Sequence, residues 1–77
     1  MAFYINIESR EQPPRGFTVE VASAGEVDLT ARRHLEGLPF GSKATAIEGE
    51  RDGDVIRGVA RGTWIRTLGG TTRMDVG

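Results

Sequence analysis

The segment KATAIEGERDGDVIRGVARG, residues 43–62, decides the fold. Its centre, Asp52-Gly53, suits a two-residue type I′ turn, in which both central residues take positive φ. Pairing Arg51 with Asp54 then sets Glu48 opposite Arg57, a favourable cross-strand ion pair. In that register Thr45, Ile47, Ile56, Gly58 and Ala60 share one face. That face is small enough to be predicted as the one under a helix. Ala46, Glu48, Val55, Arg57, Val59 and Arg61 share the other, which is predicted to be open. Glycines at 49, 58 and 62 would let a helix backbone approach the sheet closely.

The helix lies just upstream. Ser23 and Glu26 have the spacing of a capping box. Val27, Ala31, His34 and Leu35 fall on one helical face, with Thr30, Arg32, Arg33 and Glu36 around the rest. Leu29 lies off that stripe, so it is either partly exposed or a sign of a later helix start. Gly37 is placed to end the helix in a left-handed conformation, and Pro39 prevents resumption. Further upstream, Ala2–Glu8 and Phe17–Ala22 alternate with period two. Phe3, Ile5, Ile7, Phe17, Val19 and Val21 face inward. Ser9–Gly16, with Pro13-Pro14, reads as the loop of an antiparallel pair.

Downstream, Thr63–Val76 reads either as a second hairpin around Gly69-Gly70 or as a ragged tail. The hairpin pairs Thr67 with Thr72 and Ile65 with Met74. It also opposes Arg66 to Arg73, a repulsion unless an anion lies between them. The predicted architecture is a single α+β domain over residues 1–77. One helix packs on an antiparallel sheet of four or five strands, in the order β-β-α-β-β with a possible fifth strand. The expected core is Phe3, Ile5, Ile7, Phe17, Val19, Val21, Val27, Ala31, Leu35, Ile47, Ile56, Ala60 and Trp64.

Composition narrows the chemistry. A chain of 77 residues has room for one thin core and no deep active-site cavity. It contains no cysteine and one histidine, which excludes a disulfide framework, a thiolate zinc site and a His-rich metal centre. Its formal net charge is -1, and its arginines outnumber its single lysine nine to one. No apolar run reaches the ~20 residues of a membrane span. The N-terminus lacks the basic start and apolar centre of a signal peptide, so a cytoplasmic location is expected.

No residue set reads as catalytic, and no cofactor or metal is expected. His34 has no nucleophile, oxyanion donor or metal specified nearby, and reads as a histidine at the edge of the helix–sheet interface. Gly41-Ser42-Lys43 departs from a phosphate loop: Ser42 separates the glycine from the lysine, Gly37 lies too close, and a strand follows. Glu48, Glu50, Asp52 and Asp54 place four carboxylates within seven residues. They lack the spacing of a calcium loop. They read either as a solvated hairpin tip or as a projecting acidic surface that competes with nucleic-acid phosphate for a basic protein groove. Arg57, Arg61 and Arg66 read either as ion-paired surface arginines or as anchors on the open face for an acidic partner or nucleic acid. Arg73 adds to that bias, and Tyr4 is a candidate stacking ring beside them. Residues 1–50 hold eight acids and five bases, whereas residues 51–77 hold three acids and five bases.

With this layout, the chain resembles the small phage-encoded anti-CRISPR proteins that act on type I CRISPR surveillance complexes. The resemblance is carried by FYINIES (3–9), FTVEVASAGEVDLTARRHLEG (17–37) and KATAIEGERDGDVIRGVARG (43–62). It is a likeness of layout, and no residue role is carried over with it. It implies a non-enzymatic inhibitor that binds a subunit of the complex and blocks target DNA binding, with no direct nucleic-acid or membrane partner, as a monomer or weak homodimer. The rival classes are a small nucleic-acid-binding accessory protein using an arginine face and a phage structural or assembly module.

Overall fold

A computed structural model describes residues 2–9 and 15–74 of the chain. The elements are β1 (Ala2–Ser9), β2 (Arg15–Val21), a 3-10 turn (Ala24–Glu26), α1 (Val27–Glu36), β3 (Lys43–Asp52), β4 (Val55–Thr67) and β5 (Gly70–Met74). They form the expected α+β domain: one sheet of five strands in the order β2-β1-β3-β4-β5, every neighbouring pair antiparallel. The strand pair at the start extends to Ser9 and Arg15. The rest of the expected loop, residues 10–14, lies outside the described residues, as does the end of the last hairpin beyond Met74. Among the described residues no helix is long and apolar enough to cross a membrane.

The helix packs with Val27, Ala31 and Leu35 buried against the sheet. Two details differ from expectation. The Ser23 hydroxyl makes no cap hydrogen bond; the first turn is 3-10 and is closed by the Glu26 amide donating to the Ser23 carbonyl at 3.2 Å. Gly37 has φ -89° rather than a left-handed conformation, and the positive φ falls at Gly41 (88°), where the chain turns into β3. Leu29 is 60% exposed, as its place off the stripe requires.

Both hairpins are shifted by two residues from the predicted registers. The β3–β4 turn centres on Gly53-Asp54, with Asp52 opposite Val55 and Glu50 opposite Arg57. Gly53 has φ 63° and Asp54 has no positive φ, the pattern of a type II′ turn. An Asp52-Gly53 type I′ turn would instead have driven Asp52 into the left-handed region. The last hairpin turns at Leu68-Gly69, so Arg66 faces Thr71 and Trp64 faces Arg73. The predicted Arg66–Arg73 opposition is therefore absent. A two-residue shift keeps each side chain on its face.

The predicted face sets are correct as groups, but the helix covers the other one. Ile5 lies opposite Ala46 and Ile7 opposite Ala44, so the even-numbered residues of β3 join the helix side. The core comprises Ile5, Ile7, Val21, Val27, Ala31, Leu35, Ala44, Ala46 and Trp64, with Phe3, Val19 and Leu38 packed against it. Ile47 and Ile56 lie half-buried on the far face, Ala60 is exposed there, and Phe17 is 43% exposed at the edge. Volume decides the matter. Trp64 lies directly opposite Ala44, and its ring covers Gly62, where a Cβ would lie 3.1 Å from the ring. Larger residues at these positions would leave no space for the indole.

Candidate functional site

The β3–β4 hairpin runs beyond the sheet that supports it. Among the described residues its neighbour on one side, β1, last pairs at Gly49, and its neighbour on the other, β5, first pairs at Thr63. The intervening ribbon is an arm on which each residue from Glu50 to Arg61 is exposed except the half-buried Ile56. Its root is a glycine pair. Gly49 and Gly58 face each other so closely that a Cβ on either would fall on a backbone carbonyl of the opposite strand, that of Arg57 or that of Glu48. Its tip carries Glu50, Asp52 and Asp54. No side-chain hydrogen bond or ion pair engages those carboxylates among the described residues. Arg51 donates to the Gly53 carbonyl at 2.9 Å and braces the turn. Val55 and Val59 are 55% and 58% exposed along the same ribbon.

Glu48 does not belong to the tip. It lies at the root, opposite Val59 rather than Arg57. An irregularity in the pairing between Ala46 and Ile47 adds one residue to β4 there, Arg61. Such a bulge re-aims a side chain, and Arg61 donates through both Nε (3.2 Å) and Nη2 (2.7 Å) to one Glu48 oxygen. Phe3, Ala24, Val27, Glu48, Arg61 and Arg73 line a cleft of about 320 Å³ between this root and the start of the helix. Three of these residues are apolar and three are charged.

The predicted open arginine face is not formed. Arg57 and Arg61 follow the strand face on which the helix lies, and so does Arg66, two residues beyond buried Trp64. The Arg66 guanidinium is 5.6 Å from the centre of the Phe40 ring. Its Nε and the Oγ1 of Thr71, the residue opposite, are buried without a hydrogen-bond partner. Tyr4 does lie on the face away from the helix, opposite Ile47. It is only 7% exposed, so its ring is not a surface for stacking bases. His34 is half-buried at the helix–sheet edge, its ring edge-on to Phe17 at 5.7 Å.

Four residues outside the predicted core and site set hold the helix to the C-terminal hairpin. Together with Trp64, these are Asp28, Arg32, Thr71 and Arg73. The Trp64 indole donates to Asp28 at 2.8 Å, Arg32 donates to the other Asp28 oxygen at 2.9 Å, and Arg32 also donates to the Thr71 carbonyl at 2.8 Å. Arg73 lies over the indole face, 5.0 Å from a ring centre. The Trp64 hydrogen bond, reinforced by Arg32, holds the Asp28 carboxyl below its ordinary range against the desolvation that raises it. The sequence signals for this set were the i, i+4 spacing of Asp28 and Arg32 and the need of a buried indole N–H for an acceptor.

Among the described residues no group of three or more His, Asp or Glu side chains is arranged to hold a metal ion. Comparison with protein-family models, with curated proteins and with solved structures finds no match for this chain.

Proposed function

We propose that this protein is a non-enzymatic inhibitor that binds a larger protein assembly through its projecting arm and so occupies a surface used by nucleic acid. The layout resemblance makes a type I CRISPR surveillance complex the target of choice. The observation that carries the reading is the arm itself. Its exposed residues contribute almost nothing to the core, yet they hold three unengaged carboxylates and two exposed valines on a braced two-stranded ribbon. Carboxylates on a rigid support meet arginine-rich surfaces through charge-assisted hydrogen bonds with little further ordering cost.

The nucleic-acid alternative draws less support. Arg61 is neutralised by Glu48, Arg66 stacks on Phe40, and the chain is not net basic.

The test is binding of the purified protein to a purified type I complex, alongside a salt titration against short DNA and RNA. Replacing Glu50, Asp52 and Asp54 by amides is expected to abolish binding to the complex, while glutamine at Arg57 is not. Equal binding by both folded variants would refute the reading. Salt-sensitive binding to bare nucleic acid would favour the alternative.

A further inference from the structure

We infer that two copies of this chain pair edge to edge along the arm, with Gly58 on the two-fold axis. One edge of β4 pairs with β3 from Val55 to Ile65, apart from the bulged Arg61. The other edge is covered by β5 only from Thr63 onward, and from Val55 to Gly62 no strand pairs with it among the described residues. An uncovered strand edge is a template for another strand, and proteins blunt such edges with proline, lysine, closely spaced charge or bulges. This stretch, VIRGVARG, has no proline and no lysine, and its bulge falls at Arg61, which leaves Val55 to Ala60 regular. Val55 and Val59 stand more than half exposed along it.

The occupant follows from the order of side chains. In a two-fold antiparallel pair the axis passes through one residue. An axis at Arg57 sets two Arg57 side chains opposite each other, and an axis at Val59 sets Arg57 opposite Arg61. Both are repulsive. An axis at Ala60 drives Arg57 against Thr63, whose edge β5 already occupies. An axis at Ile56 leaves only the three residues around it in the ladder before the turn intervenes. With the axis at Gly58, Arg57 faces Val59 and Ile56 faces Ala60, and no like charges stand directly opposite each other. The ladder then occupies the regular part of the uncovered edge and stops at the bulge at Arg61.

The test uses the protein alone, so its failure leaves the target reading untouched. Light scattering across a concentration series is expected to show a doubling of mass for the wild type. The chain has no cysteine, so single exposed cysteines report pairing cleanly. Arg57→Cys and Val59→Cys are each expected to give no covalent dimer alone, because each residue lies diagonal to its own copy. Mixed and oxidised, they are expected to form a disulfide, since directly opposed residues meet its distance requirement. Ile56→Cys mixed with Ala60→Cys repeats the test on the other face if either first variant fails to fold by circular dichroism. A wild type that stays monomeric throughout overturns the proposal. So does a dimer in which neither mixed pair cross-links, or one in which a single variant cross-links as readily as the mixture.

Discussion

Asp28 joins three elements through one carboxylate: the helix that carries it, β4 through Trp64, and β5 through Arg32. Its folded-state pKa lies below the ordinary value of 3.8. A depressed carboxyl pKa contributes stability that is present above the unfolded pKa and is lost as pH falls through the folded one. Asp28→Asn is therefore expected to be less stable than wild type near neutral pH. That difference should shrink as the solution is acidified below about pH 4, where the unfolded carboxyl begins to hold its proton. Thermal melts of both proteins over a pH series check this, and a gap that widens in acid would refute it. The root glycines give a second prediction at this scale. Gly58→Ala puts a Cβ onto the Glu48 carbonyl, so the strands must separate, at an expected cost of about 1–3 kcal/mol in denaturant melts. Gly25→Ala, with nothing within 4 Å of the new carbon, should leave stability nearly unchanged.

At the scale of elements, the helix entry is the first case. The Ser23 hydroxyl caps nothing, so Ser23→Ala is expected to fall well short of the ~1 kcal/mol that an N-cap loss typically costs. A full loss in urea melts would mean that the capping box forms in solution. The helix and the first four strands were legible in the sequence, and the fifth only as a possibility, because period-two alternation, the 3.6-residue stripe and glycine-bearing turns are local signals. Which face of β3 meets the helix was not. Ile47 is more apolar than Ala46, so local hydropathy favours the wrong side. The deciding quantity is the space left for Trp64 beside Ile5 and Ile7, which depends on residues distant in sequence. The acidic tip was legible for the same local reason as the turn. The arginines were misplaced along with the face, since Arg57 and Arg61 travel with Ala46, and the bulge that turns Arg61 onto Glu48 has no local signature. The arm supplies the complementary prediction: serine at both Val55 and Val59 should leave the melting temperature almost unmoved, because neither side chain is in the core.

Across the whole molecule, stability rests on a small set of buried side chains. A chain of this length retains only a few kcal/mol of net stability. Trp64, 1% exposed, is the largest buried side chain. Truncating it to alanine removes about 3–5 kcal/mol, comparable to the entire margin. Trp64→Ala is therefore expected to be largely unfolded at 25 °C, with the helical signal lost from far-ultraviolet circular dichroism. A cooperative melt close to that of wild type would show that the sheet persists without the indole. The body and the arm consequently divide the chain into a part that secures the fold and a part that presents chemical groups. Substitutions in the two should be nearly independent, apart from the glycine pair at their junction.

Trp64 is also the only tryptophan in the chain, so its intrinsic fluorescence is a spectroscopic channel for one location. A ligand entering the cleft would disturb the Arg73 guanidinium stacked on the indole and shift or quench the emission. A tryptophan-free ligand held at the tip of the arm would leave the spectrum unchanged. A single unlabelled titration thus distinguishes occupancy of the two ends of the ribbon.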